Sequence, residues 1–435
     1  MLTKMILSLS YLFLAGGTLW MLRPFRNGAP FFWFIIAQGA MALGTFSLID
    51  VDYGGHLFYS FLFFVAHIVF SVAAIFYLHN FGVVHDVAEF GAKPEIEEHQ
   101  DIKLFTGMMF AFCLLITVIY YQSVGYNIIL QLLIGGGVED YSTARVNAYS
   151  GDEYFAPGYV NQFKNVLLPM TATAIGIWIW RARNRPLLYA YAAFAIPAVF
   201  LALAGTGQRG YLFYTSAALF TAYVLHSTGR RGVDMGRVAL YGAPIAAAFV
   251  AMTAVYYGRA DAGAWVLLRD TVMRFTTIQQ ESGLIGFDYI ATLDPVWFTD
   301  WGRALLGVLP GFDGSMIAHD VYAIMYGTTR GTAPVSSIGS AYYNAHVLGV
   351  VFLFGALGLF YAMAYRAYLR GPRSILRSLS YGFMFLYMSL YLIDTPVSLI
   401  DNGVLAVALF LVIAGALRAR GADAAANVPG RRSLR

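Results

Sequence analysis

Apolar runs alternate with short polar stretches along almost the whole chain. A helix that crosses a bilayer needs about 20 mostly apolar residues. About eleven runs approach that length: 3–22, 30–49, 57–79, 104–124, 158–180, 186–205, 211–228, 238–257, 342–365, 378–397 and 402–417. Some hold an internal proline, as at Pro169 and Pro197, which packed membrane helices tolerate. Three segments interrupt the pattern. Residues 80–103 cluster Glu and Lys, residues 138–158 are polar and aromatic, and residues 258–341 form a long insertion with its own periodicity. In that insertion Trp265, Leu268, Val272 and Phe275 recur at helical spacing, with Arg274 opposite the stripe and Arg269 beside it. The pattern predicts one all-α membrane domain over 1–435. A cap of short helices over 258–341, a loop over 80–103 and a tail over 419–435 complete it.

Composition narrows the class. Of 435 residues, 59% are hydrophobic and 12% charged, against about 25% charged in a soluble domain. A large water-facing surface and intrinsic disorder are both excluded. The net charge is only +4, and no nucleic-acid partner is expected. Its distribution is more telling: 19 of the 28 Lys and Arg fall on alternate connections and in the tail. Arg23 and Arg26, Arg181 to Arg185, Arg230 to Arg237 and Arg366 to Arg377 are among them. The rich side is expected to be cytoplasmic. This puts the N-terminus, residues 138–158 and the cap outside, and the C-terminus inside. The single cysteine, Cys113, excludes a disulfide framework.

The anomaly is arginine on the poor side: Arg145, Arg209, Arg259, Arg269, Arg274, Arg303 and Arg330. Guanidinium forks match phosphate geometry, although external loops also use arginine for ordinary ion pairs. Arg209 stands in Gly205-Thr206-Gly207-Gln208-Arg209-Gly210, a short reversal between two spans. The other reading of it is a snorkelling arginine in a plain hairpin. Residues 331–344 hold small and hydroxyl side chains, then Tyr342, Tyr343 and Asn344, which suit a sugar face or an interfacial aromatic belt. The external histidines His319 and His346 are candidate bases for a hydroxyl. His319 precedes Asp320, and His56 lies at an outer mouth. The outside acids Asp261, Asp270, Asp288, Asp294, Asp300 and Asp313 look scattered. No metal-ligand spacing and no Gly-Lys-Ser/Thr phosphate loop occurs.

These residues resemble a family. The Gly205–Gly210 hairpin is similar to the glycine-arginine-glycine turn of O-antigen polymerases and ligases. Pro334, Ser336, Ile338, Gly339, Tyr342, Asn344 and Gly349 resemble the Pro-Ser-x-Ile-Gly-x-x-Tyr-x-Asn-Phe-Gly stretch of Wzy-type repeat-unit polymerases. Arg274, Gly283 and Leu309-Pro310-Gly311 resemble their long loop, and Asp140 to Arg145 through Pro169 their earlier external loop. Ala345-His346 departs from the pattern where Phe-Gly is common. The resemblance spans about residues 140–365 and implies a metal-independent, cofactor-free membrane glycosyltransferase of GT-C-like architecture in a bacterial inner membrane. Its substrates would be undecaprenyl-pyrophosphate-linked glycans, joined at the periplasmic face, and it admits a chain-length regulator as partner. Pyrophosphate binding would fall to Arg209, Arg274 and Arg269, then Arg145 and Arg330. Sugar contacts would fall to Tyr342, Tyr343 and Asn344. A ligase that moves finished glycan to lipid A core shares this chemistry. A lipid-linked oligosaccharide flippase is the alternative of another class.

Overall fold

In lipid each backbone amide must find a partner within its own segment or a packed neighbour, so apolar runs of this length become helices. A computed structural model describes residues 1–25, 29–134, 157–208, 210–228, 263–309, 312, 314–328, 331–393, 395–401 and 403–426. Among them every extended regular element is helical. Six helices are long and apolar enough to cross a membrane: Leu2–Met21, Pro30–Leu48, Gly54–Asn80, Gln100–Val124, Arg185–Ala204 and Ser336–Arg370. Four other predicted runs are also helical. Pro157–Asn161, a π turn Gln162–Leu167 and Leu168–Arg181 form one. Gly210–His226, Ile375–Leu390 and Val404–Ala426 are the others. The run 238–257 lies outside the described residues.

Small residues set the closest helix crossings, as membrane packing favours. A side chain at Gly358 would place its Cβ 2.3 Å from the Phe70 carbonyl oxygen, so the Gly54–Asn80 and Ser336–Arg370 helices touch backbone to backbone there. Gly382 meets Ala218 and Ala222 of the Gly210–His226 helix in the same way. Hydroxyls inside the bundle return to carbonyls one turn back, as Thr106 to Ile102, Thr117 to Cys113 and Ser380 to Leu376 do at 2.7–2.9 Å. His67, fully buried, is held by Tyr11 and Thr18 at 3.0 Å on its two ring nitrogens.

The arginine-rich connections gather at one end. Residues 93–98 form its hub. Glu95 takes Arg181 at 2.5 Å and His226 at 3.4 Å, and Glu98 takes Arg418 at 2.5 Å. Asp86, on the amphipathic Val83–Ala92 helix, pairs with both Arg366 and Arg370. Arg373 is 1% exposed, with one nitrogen 2.5 Å from the His226 carbonyl. Burial pushes the Glu95 carboxyl up, but Arg181 and His226 outweigh it and hold it below its ordinary value. Among the described residues, the connections around 86–98, 181 and 366–373 and the start of the tail at Arg418 therefore share an end; residues 230–237 lie outside the described residues.

The opposite end carries the cap. The helix Ala264–Met273, a π turn Arg274–Ile278 and the helix Gln279–Ile290 run on without a break in the chain. Three of the four stripe residues are not buried against the bundle: Trp265, Leu268 and Val272 are exposed, and Leu267 is covered instead; the side chain of Phe275 lies outside the described residues. Such an outward apolar stripe suits a helix lying at a membrane interface. The next turn docks tightly. Gly44 of the Ala29–Leu48 helix admits the Thr276 carbonyl oxygen to within 1.4 Å of where a Cβ would stand.

Candidate functional site

The cap is latched to the bundle where the Ser336–Arg370 helix begins. Ser336, with φ +63°, accepts the Gly339 amide at 3.1 Å on its hydroxyl, which caps the first turn. The same hydroxyl bonds Tyr59 at 2.8 Å, and Tyr59 stacks on Phe287 of the cap, 4.4 Å between centroids. Ser282 donates to the Pro334 carbonyl at 2.9 Å. At the loop after the first hairpin, Asp288 meets His56 Nε2 at 3.0 Å. His56 Nδ1 accepts the Asp50 amide at 2.8 Å, so this imidazole is fixed on both nitrogens as a clip.

Two turns further on, the long helix breaks. Ala345 and His346 leave helical geometry, His346 at φ 51° and ψ −142°. These are the two positions where the sequence departs from the Phe-Gly pattern. Cap residues reach the carbonyls just before the break: the Val296 amide donates to Tyr343 at 3.1 Å, and the Phe298 amide donates to Asn344 at 3.3 Å. Trp297 and Phe298, both at positive φ, make the bend that delivers them. Three non-glycine residues in a costly conformation thus meet at one junction, and such strain concentrates at functional sites.

A polar cluster forms around that junction. Trp301 donates its indole N–H to the Ser340 hydroxyl at 2.9 Å and its backbone N–H to Asn344 Oδ1 at 3.3 Å. Asp300 is 6% exposed; its Oδ1 accepts the Ser315 hydroxyl at 2.6 Å, while Oδ2 is buried without a hydrogen-bond partner. Burial raises the Asp300 carboxyl above its ordinary value, against the pull of Ser315, Asn344 and Arg303. The Tyr343 side chain stands within electrostatic reach of Asp300, Tyr289, Asp320 and Arg303.

Of the residues singled out from sequence, Tyr342, Tyr343 and Asn344 sit in this cluster. Tyr342 packs edge-on to Phe58 and His346 and tilted against Phe287. Asn344 is fully buried, and its amide also donates to the Ser340 carbonyl at 2.9 Å. His346 is exposed at the break. His319 is half-buried on the Ile317–Tyr326 helix, whose Ala318 carbonyl takes the Ala333 amide at 2.9 Å. Arg269 is exposed beside Asp270 at 3.3 Å. Arg145, Arg209 and Arg330 lie outside the described residues, as does the side chain of Arg274, whose backbone opens the π turn at Gly44.

The Gly205–Gly210 reversal is as short as the sequence requires. Gly207 has φ +75°, and a Cβ at Gly205 would fall 2.2 Å from Asn127 Nδ2 and 2.5 Å from the Tyr121 hydroxyl. The close approach there is made by the protein's own side chains. Asp300, Trp301 and Ser315 escaped the sequence reading. Asp300 looked like one of several dispersed acids, because the helix break that buries it is invisible in apolar periodicity. Among the described residues no group of three His, Cys, Asp or Glu is placed to hold a metal ion. No family model, curated protein or solved structure matches the chain.

Proposed function

We propose that the chain is a bacterial inner-membrane glycosyltransferase that joins oligosaccharide units carried on undecaprenyl pyrophosphate, acting at the periplasmic face with about eleven spans in a GT-C-like arrangement. The observation that carries the reading is the cluster at the helix break: a buried carboxylate with an open oxygen beside aromatic side chains, where the cap meets the long helix at the end away from the paired arginines. That is the equipment for binding a sugar hydroxyl and taking its proton. In the reaction the acceptor hydroxyl oxygen bonds to the donor's anomeric carbon, and the bond from that carbon to the pyrophosphate oxygen breaks. The hydroxyl proton passes to Asp300 in this reading, with His319 and His346 as the other candidates. A carboxyl raised by burial is a better base near neutral pH than an ordinary one. The electron pair leaves on the lipid pyrophosphate, whose negative charge Arg209, Arg274 and Arg269 would stabilise, with Arg145 and Arg330 behind them.

The test is direct. Purified protein in detergent is given undecaprenyl-pyrophosphate-linked oligosaccharide without nucleotide and with a chelator, and the products are resolved by length. A ladder of longer glycans on lipid supports a polymerase. Transfer to lipid A core instead identifies a ligase. Substrate that crosses a vesicle membrane unchanged, with no ladder, identifies a flippase and removes the proposal.

A further inference from the structure

One ionisable side chain lies inside the bundle and has no place in the cluster just described. Lys164 is fully buried, on the π turn Gln162–Leu167. Its ammonium donates to Asn165 Oδ1 at 2.8 Å and to the Ala202 carbonyl at 3.1 Å. The rings of Tyr120, Tyr121 and Tyr211 stand 5.2, 5.8 and 5.8 Å from it. An ammonium carries three donors, and among the described residues no carboxylate pairs with this one. Neutral acceptors and ring faces offset only part of the cost of burying a charge. An ionisable group within a membrane span most often marks a ligand or ion path, and π turns recur at functional sites.

Its depth is set by its neighbours. Ala202 lies three residues before Gly205, and Tyr211 directly follows Gly210, so Lys164 sits about one helical turn beneath the outer reversal that carries Arg209. Tyr121 donates to the Ala202 carbonyl at 2.9 Å, and Asn127 donates to the Leu201 carbonyl at 3.2 Å. The described groups that touch the ammonium, Asn165, the Ala202 carbonyl and the three tyrosine rings, are all neutral. We propose that Lys164 is an anion ligand that takes a phosphate oxygen of a lipid-linked pyrophosphate entering beneath the Gly205–Gly210 turn. The proposal rests on the transferase reading and adds to the arginines a cation buried inside the bundle.

Full-length protein purified in detergent tests it, with thermal unfolding followed against undecaprenyl pyrophosphate, inorganic pyrophosphate or phosphatidylglycerol. For the wild type, undecaprenyl pyrophosphate raises the midpoint. Lys164→Met weakens that binding by about tenfold or more, the scale of one charge-assisted hydrogen bond. Without ligand the variant melts at or above the wild type, because a buried unpaired charge is gone. Lys164→Gln repeats the measurement should the methionine variant fail to fold. Binding by inorganic pyrophosphate that Lys164→Met also loses supports an anion subsite independent of the lipid tail. Unchanged affinity in both variants, or a lower unliganded midpoint with unchanged affinity, overturns the proposal and leaves the transferase reading standing. An equal response to phosphatidylglycerol overturns it in favour of a phospholipid headgroup. A wild type indifferent to all three ligands overturns both.

Discussion

Gly44→Ala tests whether the cap is seated in the bundle or merely rests on it. The new Cβ would stand 1.4 Å from the Thr276 carbonyl oxygen, 2.5 Å from its carbon and 2.9 Å from Gln280 Cγ. Ordinary contact starts near 3.4 Å, so the π turn must withdraw by about 2 Å, and the nearest obstacle is backbone that cannot rotate away. Overpacking of this kind costs ~1–3 kcal/mol, which lowers the unfolding midpoint of a long chain by roughly 2–4 °C per kcal/mol. The same turn begins at Arg274. A displacement above 1 Å at a group that positions substrate costs about 10²-fold in rate, so glycan lengthening falls by that order. Gly107→Ala is the control: it lies within the Gln100–Val124 helix with open space around it, and alanine there is neutral or stabilising by ~0.5–1 kcal/mol. Midpoints by differential scanning fluorimetry and ladder length for both variants decide the matter. If Gly44→Ala melts and elongates like Gly107→Ala, the cap does not dock through Thr276 and the seat described for Arg274 is wrong.

Other outcomes follow from the same geometry. Asp300→Asn keeps the shape but removes the proposed base, so elongation is expected to fall by about 10²–10⁴-fold. Because burial raises this carboxyl in the fold, its stabilising contribution belongs to low pH and is lost as pH rises through the folded value. Asp300→Asn therefore melts above the wild type at pH 7, and the gap closes in acid. Trp301→Phe deletes the indole bond to buried Ser340; a loss of ~1 kcal/mol in denaturant unfolding is expected, with protease sensitivity rising in the cap. At the arginine-rich end, Glu95 is held below its ordinary value, so its contribution is present above the unfolded value and fades as pH falls through the folded one. Wild type and Glu95→Gln should differ in midpoint at pH 7 and converge below about pH 4.

The helices were legible because apolar length is a physical requirement of the bilayer, and ten of the eleven runs carry helix. Loop charge was equally informative: Arg181, Arg366, Arg370, Arg373 and Arg418, grouped from their alternation alone, meet on Asp86, Glu95 and Glu98 or beside them. The cap was less legible. The spacing of Trp265, Leu268 and Val272 gave a helix, yet the face it buries is that of Leu267, because periodicity cannot say whether a stripe meets protein or lipid. Asp300 was hidden for a different reason. Its burial depends on a break at Ala345-His346 and on two aromatic residues at positive φ, and neither has a hydrophobic period. Asn344, expected as a sugar contact, also accepts the Trp301 amide and donates to the Ser340 carbonyl, so it fixes the residue beside Asp300.

The two ends of the bundle treat charge differently, and the difference follows from what each must do. At the arginine-rich end Asp86, Glu95, Glu97 and Glu98 each meet a cation. Such paired networks hold helices in register but leave little potential for a ligand. Open second oxygens occur at both ends, on Glu98 and on Asp288, but each of those carboxylates holds a cation or imidazole through its other oxygen; Asp300 at the cap end has an open oxygen and a hydroxyl as its hydrogen-bond partner, while Lys164 is surrounded by neutral groups. A buried polar atom left open costs about 1–3 kcal/mol, and neutralising either site would have been a short mutational step. Acid and cation are also kept apart, on the cap and within the bundle respectively, whereas simple stabilisation would have paired them. Separate unmet groups of opposite charge suit a transfer in which one place receives a proton and another receives the leaving anion. Joining them should therefore abolish the proposed transfer while making the protein more stable: a carboxylate placed beside the ammonium, as in Asn165→Asp, should raise the unfolding midpoint and abolish pyrophosphate-lipid binding. A variant that binds and elongates normally would show that the isolation of Lys164 serves no chemical purpose.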